Sequence, residues 1–192
     1  MAREVGLKAV GCEGFLFALC GEVTDPYWLN ADNFAYENRL VPAALKTLRH
    51  DAVVFDIGAN IGLTASMTAA ALPQAHITAI EPSPRARACL NRTAMAGGFA
   101  DRLEVIPMCM GEEPGVVFFR EAESMCASQV WDDSHGAMRT EMTTLDAVAA
   151  MVERIDFIKI DVEGWEIDVL RGGRKTIERT TPLIVAEIIP GP

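Results

Sequence analysis

Apolar and polar positions alternate in blocks along this chain, and from about residue 50 the blocks become regular. Residues 53–57 (VVFDI), 76–80 (HITAI), 103–107, 155–160 (IDFIKI) and 183–188 are short, near-continuous apolar runs, the pattern of strands buried on both faces. Between them lie helical stretches. Residues 63–72 are rich in alanine, and Pro73 ends them. Pro84 opens a helix that Gly97-Gly98 closes. Thr143 or Thr144 caps a helix over 144–152, and residues 165–178 form another that pauses at Gly172-Gly173. Strands alternating with helices at this spacing predict a parallel sheet with right-handed crossovers. Upstream, 7–10 and 14–19 read as paired strands. Residues 34–48 read as a helix capped by Asp32 or Asn33, with Pro42 counting against its continuity. Residues 116–119 form an extra strand, and 121–139 lack periodicity and read as a long loop.

Composition narrows the function classes. The 192 residues suit one domain, with half the residues hydrophobic and 23% charged, a globular balance. Seventeen basic against 27 acidic residues leave a net charge of −10, which argues against a nucleic-acid surface. The start has no signal-peptide pattern and no apolar run reaches a membrane span, so a cytoplasmic protein is expected. Five cysteines without a CxxC pair read as reduced thiols in a packed core.

The candidate chemistry falls at the carboxyl ends of the strands, where open parallel sheets bind ligands. Asp56-Ile57-Gly58-Ala59-Asn60-Ile61-Gly62 is a tight turn from the first core strand into a helix. Gly58 lets a ligand approach the backbone, and Gly62 lets the helix start pack closely. The turn fails the dinucleotide pattern GxGxxG, because Asn60 occupies its second glycine position and Leu63 its third. That counts against a nicotinamide-dependent oxidoreductase. Asp56 suits an amino group and the helix amides suit a carboxylate, so the turn fits a ligand carrying both. Glu81 closes the next strand about twenty residues on, where an acid can accept both hydroxyls of a ribose.

These residues resemble the Rossmann-like S-adenosylmethionine-dependent methyltransferases. VVFDIGANIGLTA, AIEPSP, TTLDAV, FIKIDVEGWEIDVLRGG and PLIVAEI stand in the order found in the FkbM-type family, over about residues 34–188. The resemblance implies a methyltransferase sandwich with a mostly parallel central sheet. It places an N-terminal strand and loop extension at 1–33 and an S-adenosylmethionine-binding domain at 34–192. It implies that Gly58, Asn60 and Gly62 wrap the methionine end with Asp56 beneath, that Glu81 holds the ribose, and that Met110 and Gly111 follow a strand that meets adenine. Glu37 fits an acidic residue that caps the donor site. The implied reaction is O-methylation of a hydroxyl on a sugar or secondary metabolite.

Asp161 and Glu163 end the fourth core strand, and Glu187 ends the fifth. Methyl transfer needs the acceptor aligned and its proton removed, and Asp161, Glu163 and the loop residue His135 are the candidates. The competing reading makes Asp161 and Glu163 helix caps neutralised by Lys159. Oxygen ligands from the three acids would suit magnesium, but no metal is expected. The other functional reading is a non-catalytic nucleoside-binding module. The resemblance implies a terminal antiparallel strand pair beyond the fifth strand, and the sequence as given is expected to lack it. That leaves the fifth strand as an apolar edge through which a homodimer could form.

Overall fold

The computed structural model describes residues 3–33, 39–122, 124, 129–131 and 137–187. Two strands, β1 (Val5–Cys12) and β2 (Phe15–Glu22), form an antiparallel hairpin, followed by the short helices α1 (Pro26–Leu29) and α2 (Leu40–Leu45). The core then alternates: β3 (Val53–Ile57), α3 (Leu63–Ala71), β4 (His76–Ile80), α4 (Pro84–Gly97) and β5 (Leu103–Ile106). After a second small sheet come α5 (Leu145–Val148), β10 (Phe157–Ile160), α6 (Glu166–Gly172), α7 (Arg174–Thr180) and β11 (Leu183–Ala186). The central sheet has the order β11-β10-β3-β4-β5, and every pair in it is parallel. The expected architecture is therefore observed.

The apolar runs form strands because both faces are covered. Phe55, Ile57, Ile158 and Ile160 pack with Leu145, Ala149 and Val169 on one side. Val54 and Phe157 join the hairpin residues Val10, Phe17 and Leu19 and the helix residues Leu63 and Met67 on the other. The hairpin thus shares the central core. Its Glu22 is almost fully buried and takes a bidentate pair from Arg85 at 2.9 Å, together with Arg3.

Three local expectations are corrected. First, Asp32 and Asn33 do not cap α2. Residues Ala31–Asn33 form a turn of 3-10 helix, and Asp32 accepts instead from Lys8 and the Gly11 amide. Arg39 precedes α2 without a side-chain cap, and Pro42 is tolerated because it lies in the first turn, where no amide partner is needed. Second, the stretch read as a loop contains β8 (Gln129–Trp131), and β9 (Met138–Thr143) begins inside it. With β6 (Cys109–Met110) and β7 (Gly115–Arg120) these make a four-stranded sheet ordered β6-β9-β7-β8. Third, the helix expected at 144–152 stops at Val148, though Thr144 Oγ1 does cap it by accepting from the Ala147 amide. The pause at the glycine pair is real and divides α6 from α7.

Candidate active site

The turn after β3 is built around a close approach. Gly58 has φ +77°, and a Cβ there would overlap the Asp161 carbonyl oxygen. Only glycine meets both conditions. Asn60 also sits in the left-handed region, at φ +50°, and its buried Oδ1 makes no hydrogen bond among the described residues. Gly62, at φ +93°, precedes α3, and a Cβ on it would collide with Leu90 of α4. Gly58 and Asn60 line a cleft at the carboxyl edge of the sheet, while Gly62 serves the packing beneath.

Glu81 lies against this turn. Its Oε2 accepts from the Asn60 amide at 2.8 Å and its Oε1 from the Ser83 amide at 2.7 Å. The acid is thereby locked to the glycine turn before any ligand arrives. Burial raises its carboxyl to about 7, despite those two amides and the more distant Lys159 and Arg87. Ser83 caps α4 through its Oγ, which also contacts the Glu121 carboxylate.

Lys159 was expected only as a neutralising charge, yet it is the hub of the site. It is 2% exposed, and its Nζ donates to the Gly58 carbonyl at 2.9 Å. The same ammonium stands 3.3 Å from Asp161 Oδ2 and 3.7 Å from Asp56 Oδ1. Asp56 is fully buried behind the cleft, and neither of its oxygens has a hydrogen-bond partner among the described residues. Desolvation pushes its carboxyl upward against the pull of Lys159.

Asp161 and Glu163 are free of the capping role. The amides of Val162 and Gly164 donate to Glu166 Oε1, both at 3.0 Å, and Trp165 precedes α6 without a side-chain cap. Glu163 holds φ +54°, an uncommon conformation for a residue with a Cβ. Its carboxyl is raised to about 7, first by burial and then by Asp161, Glu187 and Glu166. Glu187 is raised as well, by burial and by Asp161. Among the described residues no group of three acids, histidines or cysteines is arranged to hold a metal ion.

The remaining walls come from distant elements. Met108 enters from the residue before β6, Cys109 and Met110 from β6, Phe119 from β7, Val130 from β8, Trp165 from the start of α6, and Tyr27 from α1. Burial raises the Cys109 thiol to about 12, so it is an inert wall and not a nucleophile. Met110 lines the cleft as expected, but Gly111 does not. Gly111 packs against Met142, and its carbonyl oxygen abuts Gly172. Glu112 points elsewhere, toward Arg171. Glu37 and His135 lie outside the described residues. Sequence reasoning missed Tyr27, Phe119, Val130, Trp165 and the central place of Lys159. A lysine inside an otherwise apolar strand was the one available signal for the last.

Residues 56–192 match the model of the methyltransferase FkbM domain. The chain is 29% identical over 150 residues to the 2-O-methyltransferase NoeI of Sinorhizobium fredii, covering 68% of this chain and 60% of that protein. It is 30% identical over 189 residues to the AMB antimetabolite synthetase AmbE of Pseudomonas aeruginosa, covering 75% of this chain and 9% of that one. The chain thus spans less than two thirds of the length of either relative. A SAM-dependent methyltransferase from Agrobacterium tumefaciens superposes with a TM-score of 0.51 at 13% identity, over 96% of this chain and 54% of its own, which supports the fold.

Proposed function

The chain belongs to the FkbM methyltransferase family, and on that premise we propose that it is an S-adenosylmethionine-dependent O-methyltransferase acting on a hydroxyl of a sugar or secondary metabolite. The observation that carries the donor assignment is the lock between Glu81 and the Asn60 amide. It joins the acid suited to a ribose diol to the turn suited to an amino-acid end, on one wall of one cleft. Gly58 and Asn60 would border the methionine portion and Glu81 the ribose, with Met110 on the wall beyond. The donor supplies an activated methyl group, so the chemistry left to the protein is alignment and proton removal. Asp161, fixed by the hydrogen bond its backbone N–H donates to the Ile57 carbonyl and by Lys159, orients the acceptor hydroxyl. Glu163, a carboxylate whose basicity is matched to neutral pH, takes the proton. The preference for oxygen acceptors draws on the likeness to a 2-O-methyltransferase.

The test is product analysis. The full chain is incubated with isotopically labelled S-adenosylmethionine and panels of glycosides, polyols and amines, and labelled products are resolved by mass spectrometry. Label is expected in methyl ethers. Label appearing only in N-methyl products would overturn the acceptor class.

A further inference from the structure

We infer that the acidic end of the cleft, built from Asp161 and Glu163 beside Lys159 with the charge of Glu187 acting on Glu163 from outside the lining, holds the positive charge of the methyl donor, so that the sulfonium form binds in preference to the neutral thioether product. The inference rests on the donor reading above and adds to it a role for these acids that precedes any acceptor.

Placement is the first argument. The backbone of Gly58 abuts the Asp161 carbonyl, so the acids begin where the turn for the methionine end begins. Their backbones are fixed by the sheet: the Asp161 amide donates to Ile57 at 3.0 Å and the Glu187 amide to Ile160 at 3.1 Å. Glu163 adopts a left-handed backbone that glycine or asparagine would tolerate more easily, and it keeps a carboxylate on the cleft wall.

Charge balance is the second. Lys159 is the only cation among the described residues that line the cleft. Its ammonium is divided between Asp161 and the fully buried Asp56, whose oxygens have no hydrogen bond among the described residues. Glu163 is faced by Asp161 from the strand end, Glu187 beyond β11, Glu166 of α6 and Lys159 of β10, so three carboxylates oppose it and one ammonium relieves it. Such a site is short of positive charge. These acids do not converge as metal ligands among the described residues, and the same cleft is lined by the aromatic Tyr27, Phe119 and Trp165. A diffuse organic cation fits that environment. Its arrival would draw the Glu163 carboxyl back down and release a proton near neutral pH, whereas a neutral ligand would leave this group alone.

The experiment is isothermal titration of the full chain at pH 6, 7 and 8 with three probes: S-adenosylmethionine, S-adenosylhomocysteine, and sinefungin, which carries an ammonium in place of the methylsulfonium. Both cationic probes are expected to bind more tightly than S-adenosylhomocysteine. The ratio of affinities is expected to grow roughly fivefold from pH 6 to pH 8, as a drop of about one unit in the Glu163 carboxyl would give. In Glu163→Gln the ratio is expected to lose that pH dependence. A homocysteine form that binds as tightly as the cations at every pH overturns the inference, as does an unchanged slope in Glu163→Gln. The wild-type comparison decides the matter even where the variant fails to fold. Absence of binding by all three probes would instead overturn the donor reading itself.

Discussion

Glu81 shows how one residue can be legible in a sequence while its chemistry is not. Its distance from the glycine turn makes it a candidate for a ribose acid, but only the fold shows that the Asn60 amide already holds it. Only the fold shows its burial, which raises its carboxyl to about 7. A ribose diol donates to a carboxylate, so the ionised form is the binding form. S-adenosylhomocysteine affinity should therefore rise as the pH climbs from 6 through 7 and level off above it. Titration of the wild type across that range checks this, and a flat profile would contradict it. Lys159 is the opposite case. A lysine in a short apolar run looks like a flaw in a strand, and nothing local reveals that Gly58, Asp56 and Asp161 surround it. Its role arises from residues about a hundred positions apart.

At the scale of elements, the five core strands were readable because each is an apolar run bounded by its own turn signals. The strands β8 and β9 were not. Val130 and Met138 face a small cluster with Phe119 and Met142, and the flanking residues are too mixed to show a period of two. Gly111 enters the sequence reading through the family resemblance, and the fold sets it beside Met142, outside the cleft lining. Gly172 of α6 faces the Gly111 carbonyl oxygen so closely that a Cβ would overlap it. Backbone cannot yield there as a flexible side chain would. Gly172→Ala should destabilise the protein by about 3 kcal/mol, a fall in Tm on the order of 8 °C. Differential scanning fluorimetry measures it, and a wild-type Tm would show that α6 and the Gly111 backbone after β6 are not in the contact described.

The whole molecule explains what remained hidden. The cleft is assembled from three parts: the parallel sheet, the small sheet ordered β6-β9-β7-β8, and the N-terminal segment carrying Tyr27. The family match begins at residue 56, so the last part lies outside it. Yet Trp28 is anchored through its indole N–H to the Leu19 carbonyl at 3.0 Å, and the Arg85–Glu22 pair ties the hairpin to the start of α4. Asp25 and Ser124 are further linked at 3.4 Å. The half of the site proposed for the donor could be read because a strand, a turn and an acid follow one another along the chain. The opposite wall could not, because its residues meet only after three separate parts have packed.

The central claim is that the cleft binds the methyl donor through the glycine turn and Glu81. The most direct measurement is calorimetric titration of the full chain with S-adenosylhomocysteine at pH 8, beside Glu81→Ala. The account predicts saturable binding at one site in the wild type. It predicts at least a hundredfold loss of affinity in the variant, about 3 kcal/mol for deleting a buried, charged hydrogen-bond acceptor. No binding by the folded wild type, or equal binding by Glu81→Ala, would contradict it.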